Sequence, residues 1–318
     1  MTRERLARRA LAGLVLAGST VAAPTGSAQA EKYASIVVDA QSDTVLHARH
    51  ADASRYPASL TKVMTLYMLF DEISAGRVSL DDPLTVSHNA ARQPPSNLRL
   101  SPGDTISVAD AIDALVTKSA NDVAVVVAEH IGGSEHRFAA LMTVKARTLG
   151  MNSTRFYNAS GLPDSRQVST ARDMARLAEA ILEDHGEHYD YFALQKFRWN
   201  GRTYKNHNKL LGSVEGVDGI KTGYTRASGF NLMASSVRED RRIITVMLGG
   251  RTSAARNRHV TELIEAAYRS FDGPTGRSPA LRTKIAFEDV PQPIDPNAAA
   301  RPLLNGKPLA MGEGDAHN

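Results

Sequence analysis

One lysine inside an otherwise uncharged apolar run constrains this chain more than any other feature. Residues 57–70 read PASLTKVMTLYMLF, and Lys62 is the one formal charge among them. The apolar side chains of this run fall on nearly every face of a helix, so the helix is expected to be buried all round. A buried ammonium without partners is costly, so the fold must solvate Lys62, pair it, or let it lose its proton. The third outcome makes it a base. Ser59 stands three positions earlier, on the same helical face and within hydrogen-bonding reach. A serine hydroxyl is a weak nucleophile until a neighbour takes its proton. Alone, S-x-x-K is common by chance, and a capping serine with a solvent-reaching lysine is the simpler reading.

Two further stretches change that balance. Ser119, Ala120 and Asn121 interrupt a helical pattern over 108–133, and Lys221, Thr222 and Gly223 lie in a run with strand character. The ordered set S-x-x-K, S-x-N, K-T-G is the signature of penicillin-binding proteins and class A β-lactamases. Each piece is weak and the ordered set is specific.

The pattern along the chain supplies an architecture. ASIVVDAQSDTVLHARH at 34–50 reads as a hairpin turning at Gln41, Ser42 and Asp43. Pro57 precedes a helix running from about Leu60 to Ile73 with Gly76 as its stop, and the stretch from about 77 to 215 is mainly helical. Within it, HRFAALMTVKARTLG at 136–150 ends on a glycine and TARDMARLAEAILED at 170–184 carries Thr170 as its cap. From 216 three strands follow, VDGIKTGYT, SGFNLMASSV and RRIITVMLGG, then a helix at 256–271. The expected fold is α/β of the α+β type: a mainly antiparallel sheet joining the first and last parts, flanked by helices, with an all-helical subdomain inserted.

The first 30 residues have the layout of a secretory signal: Arg3, Arg5, Arg8 and Arg9 against Glu4, an apolar stretch at 10–23, and AQA before Glu31. Arg8 and Arg9 side by side raise twin-arginine export, ranked below the ordinary secretory route. Most of the net charge of +4 sits in this segment, so its removal takes away the basis for nucleic-acid binding. The apolar stretch falls short of the ~20 residues of a spanning helix. The chain has no cysteine, which excludes disulfides, thiolate nucleophiles and zinc–thiolate sites. A periplasmic or secreted bacterial protein is the expectation. Residues 273–318 carry seven prolines and little apolar periodicity, and are expected to form a disordered tail.

From about residue 32 to 272 the chain resembles the low-molecular-mass penicillin-binding proteins that act as serine-type D-alanyl-D-alanine carboxypeptidases. Beyond the three motifs, the resemblance covers YPASLTKVMT, SANDVAV, LGMNSTRFYNASGLPD, VSTARDMARLA, VDGIKTGYT, SGFNLMASSV and MLGGRTSAARNRH. It implies a β-lactamase/transpeptidase-like fold, peptidoglycan stem peptides as substrates, β-lactams as covalent inhibitors, and no cofactor or metal. It implies that Ser59 is acylated by the penultimate D-alanine carbonyl and that Lys62 is the general base. Ser119 would relay a proton to the leaving amine, and Asn121 would hold the substrate backbone or Lys62. Lys221 would lower the Lys62 pKa and attract the anionic substrate. Gly223 would let a peptide pair with the strand edge, while the backbone amides of Ser59 and Tyr224 would form the oxyanion hole. Thr222 and Arg256 would bind the terminal carboxylate, with Arg251 as the second choice. Tyr224 departs from the histidine frequent in the family, and the chain after 272 is too short and Pro-rich for the second domain and amphipathic anchor of several members. No stable membrane anchor is expected.

Four alternatives stand beside this reading. A class A β-lactamase needs a deacylating glutamate, and none lies between His136 and Ala178. A D,D-endopeptidase shares the chemistry and differs only in the leaving amine. A non-catalytic peptidoglycan-binding protein conflicts with intact Ser59, Lys62, Asn121 and Lys221. A metal-dependent hydrolase has only His185 and His188, three apart in a polar stretch without H-E-x-x-H. His207 is expected to be structural or to line the substrate groove.

Overall fold

The computed structural model describes residues 32–271. The signal-peptide expectation at 1–30 and the tail expectation at 273–318 lie outside the described residues. The hairpin of β1 (Ala34–Asp39) and β2 (Thr44–Arg49) turns where the sequence places it, with Asp43 in the left-handed region at φ 51°. A single 3-10 turn, Ala58–Leu60, leads into α1 (Thr61–Ser74), whose first ten residues are all buried. Then come β3 (Pro83–Thr85), α2 (His88–Ala91), β4 (Thr105–Ser107) and α3 (Val108–Asp113). A π-type turn at Ala114–Lys118 precedes α4 (Asn121–Gly132), followed by α5 (Glu135–Thr148) and α6 (Ala171–Asp184). The hairpin of β5 (Lys196–Trp199) and β6 (Arg202–Lys205) follows. The last elements are β7 (Val217–Thr225), β8 (Gly229–Arg238), β9 (Arg241–Gly250) and α7 (Ser253–Phe271).

Five strands form one antiparallel sheet in the order β2-β1-β9-β8-β7. The first hairpin therefore pairs with the last strand, and β7, which carries Lys221 to Gly223, is an edge. Strand alternation divides the core in two. Val37, Leu232, Ala234, Ile243 and Met247 face α7 through Val260, Leu263, Ile264 and Ala267. Ile36, Val38, Met233, Ile244 and Val246 face the other helices. Helix α6 lies on that second face against β1 and β9, and α1 packs on α4, α5 and α6. Thr170 caps α6 by accepting from the Asp173 amide, as its sequence position implies.

The stretch between 77 and 215 differs from the all-helical insertion expected of it. It holds two short antiparallel ladders, β3 with β4 and β5 with β6, and α6 covers the sheet. The strands of these ladders are three or four residues long, too short for a period-2 pattern to register.

Candidate active site

Ser59 follows a backbone position that its neighbours hold in an unfavourable conformation. Ala58 occupies the left-handed region at φ 49°, a conformation an L-residue holds at a cost of about 1–3 kcal/mol and only when its surroundings impose it. Two contacts impose it. Asn231 on β8 donates from Nδ2 to the Tyr56 and Pro57 carbonyls at 3.0 and 3.1 Å, and its Oδ1 accepts from the Gly249 amide. Gly161, at φ +84°, packs so closely that a Cβ there would lie 1.9 Å from the Ala58 carbonyl oxygen.

Helix α1 then carries Lys62 back under Ser59. The lysine is fully buried, and Nζ donates to Asn121 Oδ1 at 2.7 Å and to the Ser160 carbonyl at 2.5 Å, with Ser59 Oγ at 3.4 Å. A neutral amine has two N–H groups and one lone pair. With both N–H groups given to the two carbonyl oxygens, the lone pair is left for the Ser59 hydroxyl proton. Burial and then the Lys221 charge hold the Lys62 pKa well below the ordinary lysine range, against smaller opposing effects of Asp122 and Glu135.

Asn121 is fixed at the start of α4. Its amide donates to the Ser96 carbonyl and its Nδ2 to the Pro94 carbonyl, which leaves Oδ1 for Lys62. Ser119, two residues earlier, is in the left-handed region at φ 58°, and its buried hydroxyl has no hydrogen-bond partner among the described residues. That hydroxyl is free to rotate and to pass a proton.

The opposite wall is β7. Lys221 is buried, donates to the Thr222 carbonyl at 3.2 Å, and has its pKa lowered to about 7 by burial and by Arg256. A Cβ on Gly223 would lie 3.0 Å from the Ser59 amide nitrogen and 3.1 Å from the Pro57 carbonyl. A side chain at 223 would therefore crowd the turn that leads to Ser59, and glycine lets β7 lie close against it. The Tyr224 ring is exposed and stacks on Phe230, 4.2 Å between centroids. Arg256, in the first turns of α7, is buried and donates from Nη1 to the Asn231 carbonyl at 2.9 Å. Burial lowers its pKa to about 10, so it keeps its charge at neutral pH.

These groups share one cleft of about 370 Å³, lined among others by Ser59, Ser119, Asn121, Thr222, Tyr224 and Arg256. His207 also lines it, and burial together with Lys221 and other nearby cations lowers its pKa to about 4, so its ring is neutral. Lys62 and Lys221 lie behind the walls rather than on them. Arg251 is exposed and does not line the cleft, so of the two arginines the structure brings Arg256 to the site. His185 is buried against Tyr67 and Phe70 beside Asp71, apart from the cleft, and the described residues contain no group of three or more potential metal ligands. A second cleft of about 200 Å³ adjoins the first, sharing Gly161, Leu162 and Thr225 with it.

Sequence reasoning passed over Asn231, Gly161 and Glu135. Asn231 and Gly161 lie in the stretches SGFNLMASSV and NASGLPD, but no spacing links them to Ser59; only the packing does.

A family profile described as D-alanyl-D-alanine carboxypeptidase matches residues 18–252. The chain belongs to the peptidase S11 family. The D-alanyl-D-alanine carboxypeptidase DacC of Escherichia coli is 37% identical over 270 residues, 83% of this chain and 66% of the relative. The chain thus spans just under two thirds of that relative's length. Among solved structures, the D-alanyl-D-alanine carboxypeptidase DacD of Francisella tularensis superposes with a TM-score of 0.72 at 30% identity, covering 73% of this chain and 69% of that one. Penicillin-binding protein D2 of Listeria monocytogenes, in its cefotaxime-bound form, superposes with a TM-score of 0.68 at 29% identity, covering 74% and 96%. The peptidase S11 chain therefore has the penicillin-binding transpeptidase-like fold expected of it.

Proposed function

We propose that this peptidase S11 chain is a serine D-Ala-D-Ala carboxypeptidase that removes the terminal D-alanine from peptidoglycan stem pentapeptides. The observation that carries the reading is the placement of Lys62, buried, with two carbonyl acceptors and its lone pair left for Ser59. The site then works as follows. The stem peptide pairs along the β7 edge, its terminal carboxylate at Thr222 and Arg256 and its preceding residues running past Thr225 toward the second cleft. Ser59 Oγ attacks the penultimate D-alanine carbonyl as Lys62 takes its proton. The negative oxygen is received by the amides of Ser59 and Tyr224. Ser119 passes a proton to the leaving nitrogen, D-alanine departs, and an ester on Ser59 remains. Water, deprotonated by Lys62, hydrolyses the ester and releases the shortened stem. Lys221 favours the neutral form of Lys62 and attracts the substrate anion. A β-lactam mimics the scissile amide and stops at the ester.

The same reading takes residues 31–272 as the catalytic unit and 1–30 as an export signal, which places the enzyme where peptidoglycan is. The test is D-alanine release from a synthetic pentapeptide ending in D-Ala-D-Ala. Release is expected from the wild type, blocked by benzylpenicillin and absent in Ser59→Ala. Stable labelling of Ser59 by penicillin without any D-alanine release would move the assignment to an endopeptidase acting on crosslinked stems.

A further inference from the structure

Two carboxylates that do not line the cleft, Asp122 and Glu135, act electrostatically on Lys62, and they are held differently. Asp122 on α4 is buried, and its oxygens accept from the amides of Leu98, Leu100 and Val123. Glu135 opens α5, half-buried, and its Oε1 accepts from the Ala159 amide at 3.1 Å. The Ala159 carbonyl accepts from Thr65 Oγ1 at 2.7 Å, and the next carbonyl, Ser160 O, is the acceptor that grips Lys62 Nζ. The 159–160 backbone is thus clamped between Glu135 on one side and α1 on the other. Glu135 lies behind this backbone and does not line the cleft, so it does not reach the acyl-enzyme.

We propose that Glu135 is a positioning residue for the general base: its carboxylate holds the Ala159–Ser160 backbone against Lys62 and supplies negative charge that counters Lys221. The proposal rests on Ser59 being acylated as described above. Lys221 on β7 pushes Lys62 toward the neutral form, while Asp122 and Glu135 favour the ammonium. Arg256 on α7 acts on Lys221, and His207 is uncharged at neutral pH. A lysine exposed to burial and Lys221 alone would be too weak a base to take a serine proton efficiently. Burial also raises the carboxyl pKa of Glu135 itself, opposed by the Ala159 amide and by Lys62.

The experiment measures the rate of Ser59 acylation by a fluorescent penicillin across pH for the full chain and for Glu135→Gln and Glu135→Ala. Glutamine keeps an oxygen for the Ala159 amide and loses the charge. Its plateau rate is expected within about threefold of wild type, with the acid limb displaced to lower pH. Alanine also leaves a buried amide without its acceptor, and its plateau is expected to fall at least about tenfold. A role confined to stability would reduce the amount of titratable enzyme and leave the limb in place. A Glu135→Gln limb that superimposes on the wild type, or lies above it, overturns the proposal whatever alanine does. A wild-type chain that is not acylated at all overturns the enzymatic reading, and this inference with it.

Discussion

At the residue scale, Lys62 and Arg256 show two ways of burying a basic side chain at one cleft. Arg256 keeps its charge because its guanidinium has protein acceptors in Asn231 O and Asn257 Oδ1 and starts from a far higher pKa. Burial and Lys221 act together on Lys62, a group of more moderate basicity, and hold its pKa well below the ordinary lysine range. The two residue types are therefore not interchangeable at position 62. Lys62→Arg is expected to lower penicillin acylation by about 10²- to 10⁴-fold, since a guanidinium stays protonated and offers no lone pair. Stopped-flow acylation reads this directly, and a rate within tenfold of wild type would remove Lys62 from the role of base. The lysine was legible in the sequence because a charge within an apolar run has few physical outcomes. Glu135 was not, because nothing in S-E-H-R announces that its carboxylate reaches a loop 24 residues later.

At the scale of elements, the site depends on where turns and strands meet more than on any one helix. The Tyr56–Ser59 segment has no intrinsic reason to adopt its strained form; Asn231 on β8 imposes it through two carbonyls. Asn231→Ala is expected to slow acylation and to destabilise the chain by about 2–3 kcal/mol, as buried backbone groups lose their partners. Thr170→Ala makes the control. It removes the α6 cap, costs about 1 kcal/mol, and is expected to lower Tm by about 2–4 °C while leaving the acylation rate unchanged. Equal acylation rates in the two variants would show that Asn231 acts on stability alone. The long elements were readable because α6 shows its helical period over fourteen residues, and β7 to β9 are β-prone runs of nine or ten residues separated by turn residues. The ladders of β3 with β4 and β5 with β6 were not, since strands this short are specified by what they pack against.

At the scale of the whole molecule, the two faces of the sheet divide labour. One leads to the cleft; the other, toward α7 and the first hairpin, contains a chain of polar contacts, buried at its His47 end, in which His47 Nε2 meets Ser35 Oγ, which meets the Tyr33 hydroxyl, which meets His259 Nε2, each at 2.7 Å. Burial, helped by His259 and Arg49, lowers the His47 pKa from 6.5 to about 4. The unfolded chain therefore binds this proton more readily than the folded one between those values. Stability from His47 is full above about pH 6.5 and is lost as pH falls toward 4, by up to about 3 kcal/mol. Urea midpoints across this range should fall less steeply in His47→Gln than in the wild type; parallel slopes would show that His47 does not carry the effect. The strand order has a different consequence. Because β1 pairs with β9, more than 200 residues apart in sequence, the sheet cannot close until the chain has been synthesised past Gly250. Contacts so distant in sequence form late and slowly. Closure of the sheet therefore waits on the last strand, and until β9 emerges β1 has only its hairpin partner β2 to pair with.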